Sequence, residues 1–347
     1  MPNNHENSVL QNLYSEIASI KTLLQPQLPP MDFAAESLAH IAELKAAGRI
    51  NTADSYRRSL NRFLDYVKMS QIQICDIKKP LILAFFEHIR NTVSLDAAKA
   101  YCVDLRVLYN HCTRFIDTAP NPFKNINLRR ALRRRARTLT ISDLQKIYNA
   151  QHLPKPLDLA RRCFLLSFCL CGINFQDLWN MQPPKDGILH YYRAKTTNRR
   201  DDRAEQYLKV NDTAAALAAP MAAPTAAPYW LDWHQRNKTE KSFVKRINNG
   251  LKELARRLKI SVPLSTYYAR HTFATIARND LHIDIFDISE CLNHTPPSNA
   301  IDFVYIRKDP FKASDIADRV VAYALATAAP SIPAAFHAAP TQKQRTA

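Results

Sequence analysis

The chain has 347 residues, room for two ordinary domains or one large one, and no apolar run near the ~18–20 residues that span a bilayer. Its 48 Lys and Arg against 31 Asp and Glu leave a formal net charge of +17, an excess that points to a polyanionic partner, nucleic acid first, unless the chain is simply basic. The polar stretch from Met1 to Asn12 lacks the apolar core of a secretory signal, and seven scattered cysteines include no CxxC pair, so a cytoplasmic protein without disulfide framework, zinc site or membrane partner is expected.

Residues 1–32 read as a polar leader, with a short helix over Val9–Leu24 and a Pro-rich end from Gln25 to Pro30. Residues 33–125 read as a small helical domain. Tyr56, Leu60, Phe63, Leu64 and Val67 recur at helical spacing. Lys79-Pro80 opens another helix, where proline is well placed. A third helix is expected from Ala97 to Phe115, with Tyr101, Leu105, Leu108 and Cys112 inward. The run from Thr118 to Pro122 breaks the pattern.

Residues 126–139 form an Arg-rich linker. Arg129, Arg130, Arg133, Arg134, Arg135 and Arg137 stand there without an acid among them. In a helix, Arg130, Arg133, Arg134 and Arg137 would share one face. Such a run is either a solvated face or a DNA-backbone contact; the lack of compensating acids favours the contact.

A second domain is expected over 140–325, opening on Thr140-Ile141-Ser142-Asp143, a start that resembles a capping box. An apolar helix covers Cys163 to Leu170. Ile188–Tyr192 and Gln206–Val210 read as the strands of a β-hairpin. Asp212 is expected to cap an Ala-rich helix, and Ala218 to Pro228 reads as a loop punctuated by prolines. Helices then run from Glu240 to about Leu325. The last of them, Ala313–Leu325, carries Ile316, Val320 and Tyr323 on a stripe that either packs in the same chain or docks a neighbour. Residues 326–347 are an Ala/Pro-rich tail of disordered composition. The fold class is therefore mainly α with a small β-hairpin.

The chemistry concentrates in the last helical third. Leu264 to Thr275 places hydroxyl residues ahead of a helix whose first turn is expected to carry Arg270 and His271, the make-up of an anion site. Ile288 to His294 follows, and Tyr305 stands eleven residues after His294.

Arg270-His271-Thr272-Phe273-Ala274-Thr275, then Leu292-Asn293-His294, then Tyr305 resembles the catalytic core of tyrosine recombinases, the phage-integrase-like family. Tyr192-Arg193-Ala194-Lys195-Thr196 resembles the strand pair bearing that family's catalytic lysine, and Gly172-Ile173-Asn174 resembles the turn bearing its first arginine. The first domain resembles the family's core-binding domain. The resemblance spans roughly residues 33–325 and rests on four motifs in the right order. It implies a DNA clamp in which Tyr305 attacks a phosphorus to form a 3′-phosphotyrosyl bond, so that rejoining requires no ATP. Arg270 and His294 would stabilise the phosphate and Lys195 would protonate the leaving 5′ oxygen, with no metal or other cofactor. It also implies a dimer at each recombination site and a tetramer in synapsis, with accessory DNA-bending proteins as further candidate partners.

Two departures stand out. Asn174 occupies the first-arginine position and Tyr267 replaces a usual His or Lys. Loss of a phosphate arginine without replacement costs ~3–5 kcal/mol by analogy with truncated charge contacts. Arg193 is the expected substitute, ahead of Arg161 and Arg162; a divergent branch of the family shows similar replacements. His271 is either a further catalytic residue or a side chain that holds the helix start, Tyr267 is read as core or a weak phosphate donor, and Arg199, Arg200 and Arg203 as loop charge. Two alternatives remain: a catalytically inactive DNA-binding relative, and a basic helical protein that binds RNA or an acidic protein.

Overall fold

Short polar side chains start six of the described helices by accepting a backbone N–H of the first turn, a bond that the helix itself leaves unmade. Asp32, Ser94, Thr140, Asn211, Thr239 and Asp284 each do so. The computed structural model describes residues 13–17, 30–116, 121–124, 126, 137–225, 227–294 and 309–326. It divides into two compact units, residues 1–134 and 135–347.

In the first unit, residues 13–17 are helical; the rest of the helix expected over Val9–Leu24 lies outside the described residues. Helices α1 (Phe33–Ala46), α2 (Ile50–Val67), α3 (Lys79–Arg90) and α4 (Leu95–Cys112) follow. Pro80 stands at the start of α3 as expected. Of the α2 stripe, Leu60 and Phe63 are fully buried, while Tyr56, Leu64 and Val67 pack at the core's margin. Phe63 meets Phe33 and Phe85 edge-on, with centroids 6.4 and 5.3 Å away. Asp104 on α4 accepts hydrogen bonds from Ser55 and Ser59 of α2 at 2.8 and 2.7 Å, fixing the pairing of two helices distant in sequence. Helix α4 starts two residues before the expected Ala97, because Ser94 caps it, and ends at Cys112 rather than Phe115.

The second unit is built around α6 (Lys155–Cys169), whose Cys163 to Cys169 are all buried. Helices α5 (Ile141–Asn149), α8 (Asp212–Ala218), α10 (Glu240–Arg257) and α11 (Tyr267–Thr275) surround it, and α11 runs on into a π-turn over Ile276–Asp280. Glycine interrupts α10 for a steric reason: a Cβ at Gly250 would stand 2.8 Å from the Ala160 Cβ of α6. The remaining helices are α7 (Phe175–Trp179), α9 (Trp233–Arg236), α12 (Ile285–Cys291) and α13 (Lys312–Leu325). Strands β1 (Ile188–Tyr192) and β2 (Glu205–Lys209) pair antiparallel, from Ile188 opposite Lys209 to Tyr192 opposite Glu205.

The fold is thus mainly helical with one small hairpin. Strand β2 begins one residue before the expected Gln206. The cap of α8 is Asn211, whose side chain accepts from the Ala214 N–H, and Asp212 is the first helical residue. Among its described residues, the proline-punctuated segment holds a 3-10 turn, Ala219–Met221. On α13, Ile316 and Val320 are buried in the unit's own core with Tyr323 packed at its edge, so the stripe serves the fold of its own chain. The segment from 327 onward lies outside the described residues. Among the described residues, no helix is long and apolar enough to cross a membrane.

Candidate functional site

Helix α12 ends at Cys291, and the chain turns through Leu292, Asn293 and His294, with Asn293 in the left-handed region at φ +49°. Asparagine tolerates that conformation better than most residues. The turn presents three successive carbonyls, and three arginines from distant segments take one each. Arg270 Nη2 donates to Leu292 O. Arg193 Nη1 donates to Asn293 O at 2.6 Å. Arg200 Nη1 donates to His294 O at 3.0 Å and to the Asn293 side-chain oxygen at 2.8 Å. The Asn293 amide in turn donates to Ala204 O at 2.8 Å. His294 is therefore held between α11 and the segment that joins β1 to β2.

Arg270 comes from α11. Its Nη1 donates to Gly172 O at 3.1 Å, in a turn where Cys171 and Gly172 both adopt positive φ, +56° and +65°. Burial, then the charge of Arg193, lowers the Arg270 guanidinium to about 10. Arg193, only 7% exposed, keeps a buried Nε with no partner among the described residues. Asp177 of α7 lies beside both arginines and accepts the Ala194 N–H at 2.9 Å. Burial raises its carboxyl, against the pull of that N–H and of the two guanidinium charges. Lys195 is exposed, two residues after Arg193. Partial burial, then the charges of Arg270, Arg193 and Lys195, push His294 down to about 4, although the residue as a whole is exposed.

The structure thus brings Arg270, His294, Lys195 and Arg193 to one place, where among the described residues the cations, Arg200 included, outnumber the acids Asp177 and Asp202 beside them. A phosphodiester is the natural complement: its two non-bridging oxygens accept from guanidinium forks, and its charge relieves the mutual repulsion of the cations.

Other expectations change. Arg270 and His271 are the fourth and fifth residues of α11, past its first turn, and the Thr266 hydroxyl caps nothing. The anion site is therefore made by converging side chains rather than by a helix start. Nor does His271 hold the helix start: it is exposed near Tyr267, its imidazole lowered by partial burial and then by Arg137 and Arg270. Tyr267 itself is 56% exposed and is no core residue. Arg161 and Arg162 both pair with Asp158, at 2.8 and 2.7 Å, and so are committed elsewhere. Asn174 precedes α7 as its N-cap residue without a side-chain capping bond. Of the linker arginines, Arg137 is described and exposed; Arg129, Arg130, Arg133, Arg134 and Arg135 lie outside the described residues, as does Tyr305.

Arg200 and Asn293 are the residues that sequence reasoning missed. Arg200 pairs with Asp202 and is the most enclosed of the hairpin-loop cations read as loop charge, with Arg203 lying over the Tyr192 ring. The one available signal was Asn293 itself, an asparagine just past a helix end.

His294 is expected to titrate near 4 in the free protein and at least about one unit higher with a phosphodiester bound. Native stability of the free protein then falls as pH drops below the ordinary histidine value, since the unfolded chain takes the proton more readily. Phosphodiester binding has the opposite sign: it takes up a proton and tightens as pH falls through the raised, bound-state value toward about 4. Histidine NMR titrations with and without a short duplex check both; an unmoved His294 places the phosphate elsewhere.

No family model matches the sequence, and no curated protein matches it. Solved structures do. The chain superimposes on lambda integrase in the crystal structure of its dimer bound to a COC′ core site, with a TM-score of 0.59 and 13% identity over 86% of this chain and 87% of that one. The lambda integrase tetramer bound to a Holliday junction matches with a TM-score of 0.56 and 14% identity, over 83% and 87% of the two chains. The Tn1549 transposon integrase in complex with transposon right end DNA gives 0.53 and 14%, over 84% and 98%. At these identities the likeness is one of fold, and this chain has the fold of those integrases.

Proposed function

We propose that this protein is a site-specific DNA recombinase or integrase, which cleaves and rejoins duplex DNA through a covalent bond to Tyr305. The convergence of Arg193, Lys195, Arg270 and His294 on one spot carries the reading, because those residue types in one place serve a phosphodiester under attack. The integrase fold supports it, since three such neighbours are DNA complexes. Arg270 and Arg193 stabilise the charge on the non-bridging oxygens, with Arg193 taking the place that Asn174 leaves empty. His294, neutral, donates its N–H to the same phosphate. The Tyr305 oxygen, giving up its phenolic proton to solvent, bonds to phosphorus as the bond to the 5′ oxygen breaks, and Lys195 gives that oxygen its proton. The reverse attack restores the DNA. Self-association on DNA, two protomers at a site and four in synapsis, belongs to the same reading.

A second reading has its own observation. Arg270 spends both Nη groups on backbone carbonyls, so its guanidinium could serve structure alone, in a DNA-binding protein without cleavage activity. A suicide-substrate trap separates the two. Full-length protein is incubated with nicked duplexes carrying candidate sites from its flanking DNA, and SDS-stable adducts are resolved on a gel. An adduct that is lost in Tyr305→Phe is expected; tight binding without any adduct establishes the second reading instead.

A further inference from the structure

Among the described residues, one group of side chains outside the arginine cluster has the make-up of a metal site, and it lies wholly in the first unit. His40 and Glu43 stand three residues apart on α1, so they share a face. His111 stands in the last turn of α4. The atoms that these three side chains can offer a metal all lie within 4.8 Å of one another. His40 Nδ1 is 3.3 Å from Glu43 Oε2, and the His40 and His111 rings stack with centroids 3.6 Å apart and planes at 22°.

We propose that His40, Glu43 and His111 bind one divalent transition ion of the zinc class, clipping the C-terminal part of α1 to the end of α4. Zinc holds imidazole nitrogens at ~2.0–2.1 Å and carboxylate oxygens at ~2.0–2.2 Å in tetrahedral array, so its donors stand roughly 3.3 Å apart. Closing the present spread to that spacing takes about 1.5 Å of movement, and the two rings, now stacked, must turn about their χ bonds so that their in-plane lone pairs converge on the ion. Two imidazoles and one carboxylate select zinc, nickel or copper over magnesium or calcium, which prefer oxygen donors alone.

The surroundings agree. Glu43 is exposed and both histidines are half-buried, so an ion can enter and a water can complete its shell. The Tyr56 ring lies 6.4 Å from His40, stacked beside it. Arg114, the neighbouring cation, is turned to the His111 carbonyl at 2.6 Å and lies over the Phe115 ring at 4.6 Å. A hydrogen bond from His40 to Glu43 uses one imidazole only. A second imidazole stacked on the first gains little as a neutral pair and repels as a charged one, whereas a shared ion uses both. A search for paired cysteines passes over such a site, because its donors come from two helices far apart in the chain.

The test uses full-length protein, freed of metal by chelation and titrated with zinc chloride in a calorimeter. Cobalt chloride then reports coordination by its visible absorption. One equivalent is expected to bind, and the His40→Gln/His111→Gln double variant to weaken it at least about tenfold and lose the cobalt band. Glu43→Gln, a change on the exposed surface that leaves the helix intact, is expected to weaken binding by a smaller factor. Cys75→Ser, which removes the exposed thiol, is expected to change nothing. No uptake by the wild-type protein at ~100 μM zinc, or equal affinity in wild type, the double variant and Glu43→Gln, overturns the proposal. The outcome does not depend on the function of the second unit.

Discussion

Arg193→Ala is expected to leave duplex binding within a few-fold of wild type and to slow covalent adduct formation by about 10²–10³-fold. That is the scale on which losing one preorganised donor to a developing oxyanion reduces a rate. Two observations assign it this weight. Its Nε is buried without a partner among the described residues, a state that costs free energy unless a ligand completes it. Its charge is also among those that bear on Arg270 and His294. Arg193→Lys keeps the charge but loses the planar fork, and should fall between the two. Because Arg193 also donates to Asn293 O, the alanine variant could act by loosening the His294 turn. Restoring an arginine at position 174 in the Arg193→Ala background distinguishes these. Rescue of adduct formation means that the two positions serve the same phosphate; a loosened turn would not be mended from the start of α7. An Arg193→Ala rate within a few-fold of wild type removes Arg193 from the proposed chemistry.

Gly172→Ala should cost about 2–5 kcal/mol of stability, the sum of left-handed strain and overpacking in a site that cannot give way. The methyl group would sit 2.4 Å from the Arg270 Cα and 2.9 Å from its Cβ. Backbone, unlike the far end of a long side chain, has no rotamer by which to yield. The conflict has to be relieved by moving α11 or the 171–174 turn, and either movement shifts Arg270 away from Leu292 O. Thermal or denaturant unfolding measures the first effect, and trapping at a temperature where the variant is folded measures the second. A variant as stable as wild type shows that this turn has slack that its close approach to α11 denies.

The sequence determined the local part of this protein. Helix stripes such as Leu60 and Phe63, the cap Thr140, and the pairing of Ile188–Tyr192 with its partner strand depend on residues within a turn or a hairpin of one another, and local pattern reports them. Boundaries were misplaced by one residue at Asn211-Asp212, where two polar residues in succession compete to be the cap, by three at the end of α4, and by eight at the start of α6, where Lys155-Pro156 opens the helix ahead of its apolar stretch. The tertiary structure alone decided how the charges are used. Arg200 reads in sequence like Arg199 and Arg203, and becomes different when the hairpin brings it to Asn293 and His294, more than ninety residues on. The Ala313–Leu325 stripe had two readings until its own core covered it, and His40 meets His111 only through helix packing. The physical reason is common to all of these. An apolar stripe is buried by whatever lies opposite, so its spacing suffices to identify it. A polar side chain acquires its role from the one atom it meets, and the folded chain sets that meeting across residues that local pattern does not connect.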